Sequence, residues 1–410
     1  MQSGDKVGAA DGTEVRRLTW LLGSYTMLGP FSISTYMPFF PALIVAMGAS
    51  QIELQQTLSV YLAAFAFMML LHGPLSDAFG RRPIILAGLA VYLTASIGGV
   101  FATSLSLLLL VRMLQGLSVG AGGVVGRAVI RDRLEGPAAQ RLLSYVTMVF
   151  GLAPAAAPVI GGWLNNWFPW QSVFIFMAGF SLIQLIATYF YLPESLPVEK
   201  RISIKPTELT RSYGTVLKSR SFWLLTLALS SNFAGFFLYV AAAPIFVIQF
   251  LRLEQDQFGW LFIPAMSGVI LGAYLSSRLA DRLSQPKTVR YGYMVMACAM
   301  LLNLSYNAFF PPLLPWVVLP IMLFTTGMSL ATPSITLLTF DLFPKMRGMV
   351  ASLQGFVQTI VMTIVSSIAA PMLGSSGMKM ALGMLLFLVA GFVAWAAYRR
   401  LSPSAGQLST

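Results

Sequence analysis

A dozen apolar runs, each about long enough to cross a bilayer, follow one another along the 410-residue chain. They lie at roughly 18–46, 54–72, 83–103, 106–127, 143–164, 171–192, 221–250, 258–277, 290–310, 315–339, 349–373 and 378–398. A hydrocarbon core ~30 Å thick takes ~20 helical residues. Inside it the chain has to satisfy every backbone N–H and C=O itself, which leaves only helices or a closed barrel. A barrel needs short segments of alternating polarity, whereas the runs here are continuous, as in 84-IILAGLAVYLTASIGGVFA-102. The expectation is an all-α integral membrane protein with twelve transmembrane helices. Composition agrees, with 57% hydrophobic and 10% charged residues against ~25% charged in a soluble domain.

The formal net charge of +12 follows from topology. All 26 lysines and arginines except Arg112, Arg252 and Lys379 fall in the terminal tails or in the connections from even to odd spans. By the positive-inside rule that places both termini in the cytoplasm, in a bacterial inner membrane. A nucleic-acid surface would need basic residues interleaved with aromatics on a soluble face; here they sit between apolar runs, so no nucleic-acid partner is expected. One cysteine, Cys298, and one histidine, His72, give no basis for an intramolecular disulfide or a zinc site, and no cofactor is expected. The polar, mixed-sign N-terminus before a long first run reads as a retained span, not a cleaved signal.

The stretch 193–220, PESLPVEKRISIKPTELTRSYGTVLKSR, is polar, basic and close to the midpoint. It divides the chain into a tail (1–17), a six-helix half (18–192), a cytoplasmic linker (193–220), a second six-helix half (221–398) and a tail (399–410). An internal repeat supports the division. The segment 75-LSDAFGRR-82 after the second span is echoed by 279-LADRLSQP-286 after the eighth, which puts Asp77 and Asp281 about half the 410-residue chain apart. Asp132 and Asp341 form a weaker echo after the fourth and tenth spans. Parallel repeats with a substrate site at their midplane interface are the plan of alternating-access carriers.

With these pieces in place, the sequence resembles the major facilitator superfamily. The segment 73-GPLSDAFGRRP-83 is similar to that superfamily's G-x-L-(A/S)-D-R-x-G-R-R signature between spans two and three, departing at Ala78. The fourth-span 112-RMLQG-116 resembles R-x-x-Q-G, and 157-APVIGG-162, preceded by Gly151 and Pro154, resembles the fifth-span G-P-x-x-G-G signature associated with antiporters. The segments 33-ISTYMPFFPAL-43, 57-TLSVY-61, 127-RAVIRD-132 and 233-FAGFFLYVAAAP-244 make it similar to the bicyclomycin/chloramphenicol-resistance subfamily of drug–proton antiporters. The resemblance covers nearly the whole chain and implies the proton as coupling ion. Relatives carry an aspartate two residues before the first-span tyrosine; here Ser34 holds that position. None of the fourteen acids lies clearly mid-span, which leaves proton exchange to the peripheral Glu53, Asp77 or His72.

Residue chemistry supplies the candidate sites. Gly73, Asp77, Gly80, Arg81, Arg82 and Asp281 form a gating set, with Asp77 expected to accept hydrogen bonds from a neighbouring helix N-terminus. The plainer alternative is a charged turn that fixes topology. Arg112 lies well inside the fourth span, where an ionised side chain is costly and usually faces the bundle interior with a partner; Gln115 shares its face. Gly151, Pro154, Pro158, Gly161 and Gly162 make a small-residue, kinked segment suited to a tight seal, or simply to ordinary packing. A cavity for amphipathic molecules needs aromatic walls and a few polar handles. Ser34, Tyr36, Tyr61, Asn232, Phe236, Tyr239, Trp260 and Gln354 are the candidates, each aromatic having core packing as its ordinary role. The expected function is export of small amphipathic compounds by a monomeric carrier in the lipid bilayer, with proton-coupled antiport. The alternative is an uptake carrier or uncoupled facilitator for a small organic metabolite or siderophore. No catalytic constellation suggests an enzyme.

Overall fold

The computed structural model describes residues 12–133, 136–201, 206–280, 282–344 and 346–401. Its helices are α1 (Gly12–Ser34), α2 (Phe40–Met47), α3 (Gln51–Phe79), α4 (Arg81–Val100), α5 (Leu105–Arg133), α6 (Gly136–Trp167), α7 (Gln171–Tyr191), α8 (Pro206–Leu217), α9 (Arg220–Ala241), α10 (Gly259–Leu279), α11 (Gln285–Phe309), α12 (Leu319–Asp341), α13 (Arg347–Ile364), α14 (Ala370–Leu373) and α15 (Gly377–Leu401). Three crossings are interrupted. The first span is α1 and α2 joined through a 3-10 turn at Met37–Phe39, the seventh is α9 extended by a π-helical segment at Pro244–Phe250, and the eleventh is α13 and α14 joined through a π-helical segment at Val365–Ala369. Ten stretches are long and apolar enough to cross a membrane unaided. The 32-residue α6 and the 25-residue α11 complete twelve crossings.

Local chemistry sets the boundaries. Gly48 closes the first span in the left-handed region at φ 59°. Ser50 and Glu53 then form a reciprocal capping box that starts the second span, each satisfying an otherwise orphaned N–H. Ser219 caps the seventh span through the Phe222 N–H. The linker contributes α8, whose Tyr213 hydroxyl donates to the Leu70 carbonyl of the second span, 3.1 Å away. Val216 of α8 packs with Phe222, Val350 and Leu353 of the second half.

The two halves repeat one packing scheme. In the first half span two packs on span four, three on four, one on five and three on six; in the second, eight packs on ten, nine on ten, seven on eleven and nine on twelve. Glycines allow the close approaches. A Cβ on Gly268 or Gly272 would overlap the Met322 or Thr326 carbonyl of the tenth span, and one on Gly292 would stand 2.7 Å from the Gly327 carbonyl. Small residues at such crossings bring backbones together where no hydrophobic force drives helices to associate.

Between the halves, span two meets span eleven and span five meets span eight. Gln55 donates to the Ala241 carbonyl (2.9 Å) and to Ser366 (3.3 Å), Ser59 to Ser366 (3.2 Å), and Gln249 to Gln51 (2.9 Å). These bonds lie toward the end opposite the basic connections. Toward the basic end Met69 still touches Gly355, but a Cβ on Gly73 or Gly123 would meet nothing within 4 Å. The halves are therefore hydrogen-bonded at the end opposite the basic connections, while at the basic end Met69 and Leu70 of the second span pack against the second half. Large apolar side chains cover the outside, with Trp163, Phe190, Leu301 and Leu386 all mostly exposed. A soluble monomer does not expose apolar surface on this scale, so the chain is a multi-pass membrane protein.

Candidate functional site

Arg112 stands on α5 about 10 Å, seven residues at ~1.5 Å each, inside its start, and it is fully buried. Its Nη1 donates to Gln115 Oε1 at 2.8 Å, the i,i+3 spacing that places both side chains on one helix face. Gln115 Nε2 in turn donates to Ser96 of the third span at 2.9 Å and approaches the Met177 sulfur of the sixth span at 3.6 Å. The guanidinium carbon lies 4.6 Å from the centre of the Tyr36 ring and 4.4 Å from that of Tyr61. Cation–π contacts of this kind gain strength when desolvated. Nε and Nη2 find no hydrogen-bond acceptor among the described residues.

The tyrosines are held by the fold. Tyr36 occupies the break in the first span, where Thr35 N still bonds the Phe31 carbonyl and Phe39 N bonds the Tyr36 carbonyl at 3.2 Å. Its hydroxyl pairs with Thr57 of the second span (3.1 Å), and its ring meets Phe40 and Phe174 edge-on. Tyr61 reaches the Gly29 carbonyl at 3.5 Å. Ser32 and Tyr92 share a hydrogen bond between the first and third spans. Ser34 is buried at the end of α1, and Arg112 forms no ion pair with any carboxylate among the described residues.

The second half has a polar centre with no charged side chain among the described residues. Asn232 donates to Tyr293 (3.1 Å), and its Oδ1 has no donor among the described residues. Asn303 donates to Tyr239 (3.2 Å), which also sits edge-on to Phe246. Phe236 is buried against Phe233, and Gln354 bonds Thr339 of the tenth span at 3.4 Å. Trp260 is a correction: it is 48% exposed on the face of α10 that carries Ile263, Ile270 and Tyr274, opposite the buried face of that helix. It belongs to the lipid-facing surface. His72, toward the basic end of the second span, is buried against Gly120 of the fourth span.

At the basic end the signature residues assemble, with a second correction. Among the described residues no helix N-terminus donates to Asp77; it pairs instead with the Arg81 guanidinium at 2.5 Å. Arg81 also donates to Ser76 (2.7 Å) and, from Nε, to Asp132 at the end of the fourth span (3.0 Å). The N-terminus of α4 is capped by Glu194, whose carboxylate accepts from the Arg81 and Arg82 backbone N–H groups at 3.0 and 3.2 Å. Gly80 makes room for it: with φ at +102°, a Cβ there would lie 2.5 Å from Glu194 Oε2. Arg82 donates to the Tyr189 carbonyl at 2.7 Å, and Gly73 borders open space. The network ties spans two, three and four to the chain leaving span six, all within one half. Asp281 lies outside the described residues, and the counterpart pair Asp341–Arg347 is exposed and 3.5 Å apart.

In the fifth span Gly151, Pro154, Pro158, Gly161 and Gly162 all fall within α6. Gly161 is pressed onto the break in the first span, since a Cβ would overlap the Thr35 carbonyl oxygen. Two residues earlier on the same helix, Val159 reaches Gly259 of the eighth span, 3.4 Å from where a Cβ there would be. The segment therefore touches both the Tyr36 turn and the opposite half. Gly161→Val is expected to displace that turn and leave the carrier inactive or leaky. Proton leak and transport measured in vesicles check this, and wild-type values for both would reduce the segment to filler.

Residues 22–367 match the family profile described as Major Facilitator Superfamily. The chain belongs to the major facilitator superfamily. A bicyclomycin resistance protein homolog of Haemophilus influenzae is 27% identical, over 86% of this chain and 88% of its own. A multidrug transporter, MdfA of Yersinia pestis, is 26% identical over 80% of both. A partially occluded, inward-open structure of the xylose transporter XylE from E. coli superimposes with a TM-score of 0.72 at 13% identity, over 94% of this chain and 98% of that one. That last likeness speaks for the twelve-helix fold alone. Within this superfamily fold, Thr57 of the 57-TLSVY-61 segment completes the central site together with Ser96 and Met177, which no motif marks, and the equally unmarked Glu194 completes the basic-end network.

Proposed function

We propose that this chain exports small amphipathic compounds, drugs among them, across a bacterial inner membrane by alternating access, with both termini cytoplasmic. The observation that carries the reading is the near-full-length likeness to bacterial drug-resistance and multidrug transporters. The geometry supports it with a buried arginine stacked on two tyrosines in the first half and an uncharged polar centre of Asn232 and Asn303 in the second. Expression in a drug-sensitive bacterial strain should raise tolerance to some members of a compound panel, and unchanged tolerance throughout would count against export.

The proposed counter-ion is the proton, exchanged at peripheral groups, because no described carboxylate faces Arg112. That same observation favours a second reading, an uptake carrier or uncoupled facilitator for a small organic metabolite or siderophore. Restoring an acid separates the two. Ser34→Asp is expected to increase the dependence of transport on an imposed pH gradient, because an acid near a buried cation can exchange its proton as the cavity alternates. Vesicle uptake at several gradients is the measurement, and an unchanged response removes the coupling role from this position.

A further inference from the structure

We infer that Arg112 reads a carboxylate on the transported molecule, so that the cargo class is amphipathic organic acids. The inference rests on the carrier reading above and specifies its substrate.

The geometry points to one edge of the guanidinium. Gln115 Oε1 engages the Nη1 corner at 2.8 Å, and the rings of Tyr36 and Tyr61 lie at 4.6 and 4.4 Å from the central carbon. What is left is Nε and Nη2, both buried and both without an acceptor among the described residues. In a guanidinium these two nitrogens direct parallel N–H bonds from one side, the fork that matches the two oxygens of a carboxylate. A buried cation with unused donors is costly, and among the described residues no carboxylate pairs with it: their ion pairs are with Arg81, Arg201 and Arg347. An anionic group on the cargo would satisfy both deficits together. The two tyrosines and Phe174 beside Tyr36 supply flat apolar walls, which suits a carboxylate attached to an aromatic body.

Tyr36, whose ring stacks on the guanidinium, stands on the non-α turn between α1 and α2, where the helical hydrogen-bond ladder is interrupted, so this wall of the site has fewer backbone constraints than a continuous helix. Charge also accounts for the position of Ser34. An organic anion leaves a negative-inside cell down the membrane potential, so its export does not require a central acid that loads a proton.

The test is binding to the purified full-length protein in detergent, measured by calorimetry, with three arenecarboxylates and their methyl esters: benzoate, 2-naphthoate and indole-3-acetate. At least one acid is expected to bind ten-fold or more tightly than its ester. Arg112→Lys, which keeps the charge and loses the fork, is expected to remove that preference while the protein stays folded by circular dichroism. Equal binding of acids and esters throughout, or an acid preference that survives in Arg112→Lys, overturns the proposal. Potassium chloride is the control for an inorganic anion at the same fork: if chloride at millimolar concentration abolishes the acid preference, the site is a counter-ion site and the substrate assignment falls. These readouts do not depend on transport direction, so their failure leaves the export reading standing, and failure of the tolerance assay leaves the fork standing.

Discussion

Gly116→Val is expected to abolish transport and to lower the thermal stability of the purified protein, whereas Gly123→Ala on the same helix leaves stability unchanged. At Gly116 a Cβ would overlap the Tyr61 carbonyl oxygen and lie 2.9 Å from Ala64 Cβ. The obstacle is backbone, which cannot rotate away as a side-chain tip can, so spans two and four have to separate. Overpacking of this kind costs about 1–3 kcal/mol. The functional loss is larger than that figure suggests, because Tyr61 is the residue stacked 4.4 Å from Arg112 and would be carried off it. A Cβ at Gly123 meets nothing within 4 Å, so it controls for the general effect of placing a methyl on this helix. Transport in vesicles and thermal unfolding in detergent check the pair. Wild-type transport by Gly116→Val would mean that the crossing tolerates separation and that the tyrosine–arginine stack is incidental.

Much of this arrangement is legible before any coordinates. Span number and the division into halves follow from run length and repeated charge, which depend on the bilayer and not on tertiary detail. The Arg112–Gln115 pair is legible because i,i+3 neighbours share a face. Tyr36 and Tyr61 stand out as aromatic handles, but their convergence on Arg112 does not, since it depends on how spans one, two and four pack. Trp260 shows the opposite failure. An aromatic in a membrane helix is equally at home in a cavity wall and at the lipid surface, and hydropathy does not separate the two. Glu194 carries no local signal: it follows the sixth span as part of a polar linker, yet it caps the N-terminus of α4, more than a hundred residues earlier in the chain.

Arg81→Ala is expected to destabilise the carrier much more than Asp77→Asn. Arg81 is the shared cation of a cluster: its guanidinium binds Asp77, Asp132 and Ser76 at once, and only 10% of its side chain is exposed. Removing one member of a buried ion pair costs about 3–5 kcal/mol because the partners are left uncompensated. Partial access of water to Asp77 and Asp132, whose side chains are 44% and 22% exposed, brings the expected loss to the low end of that range. Asp77→Asn removes one partly solvated pair, worth on the order of 1 kcal/mol, and leaves Arg81 bound to Asp132. Both variants are expected to insert in the membrane, and both to transport more slowly, since spans two, three and four lose a common tether and the preference for one arrangement of the halves shifts. Thermal unfolding of the purified variants, with transport in vesicles alongside, gives the ranking. If Asp77→Asn proved the more damaging to stability, the cluster would be organised around the aspartate, and the weight given to Arg81 would be misplaced.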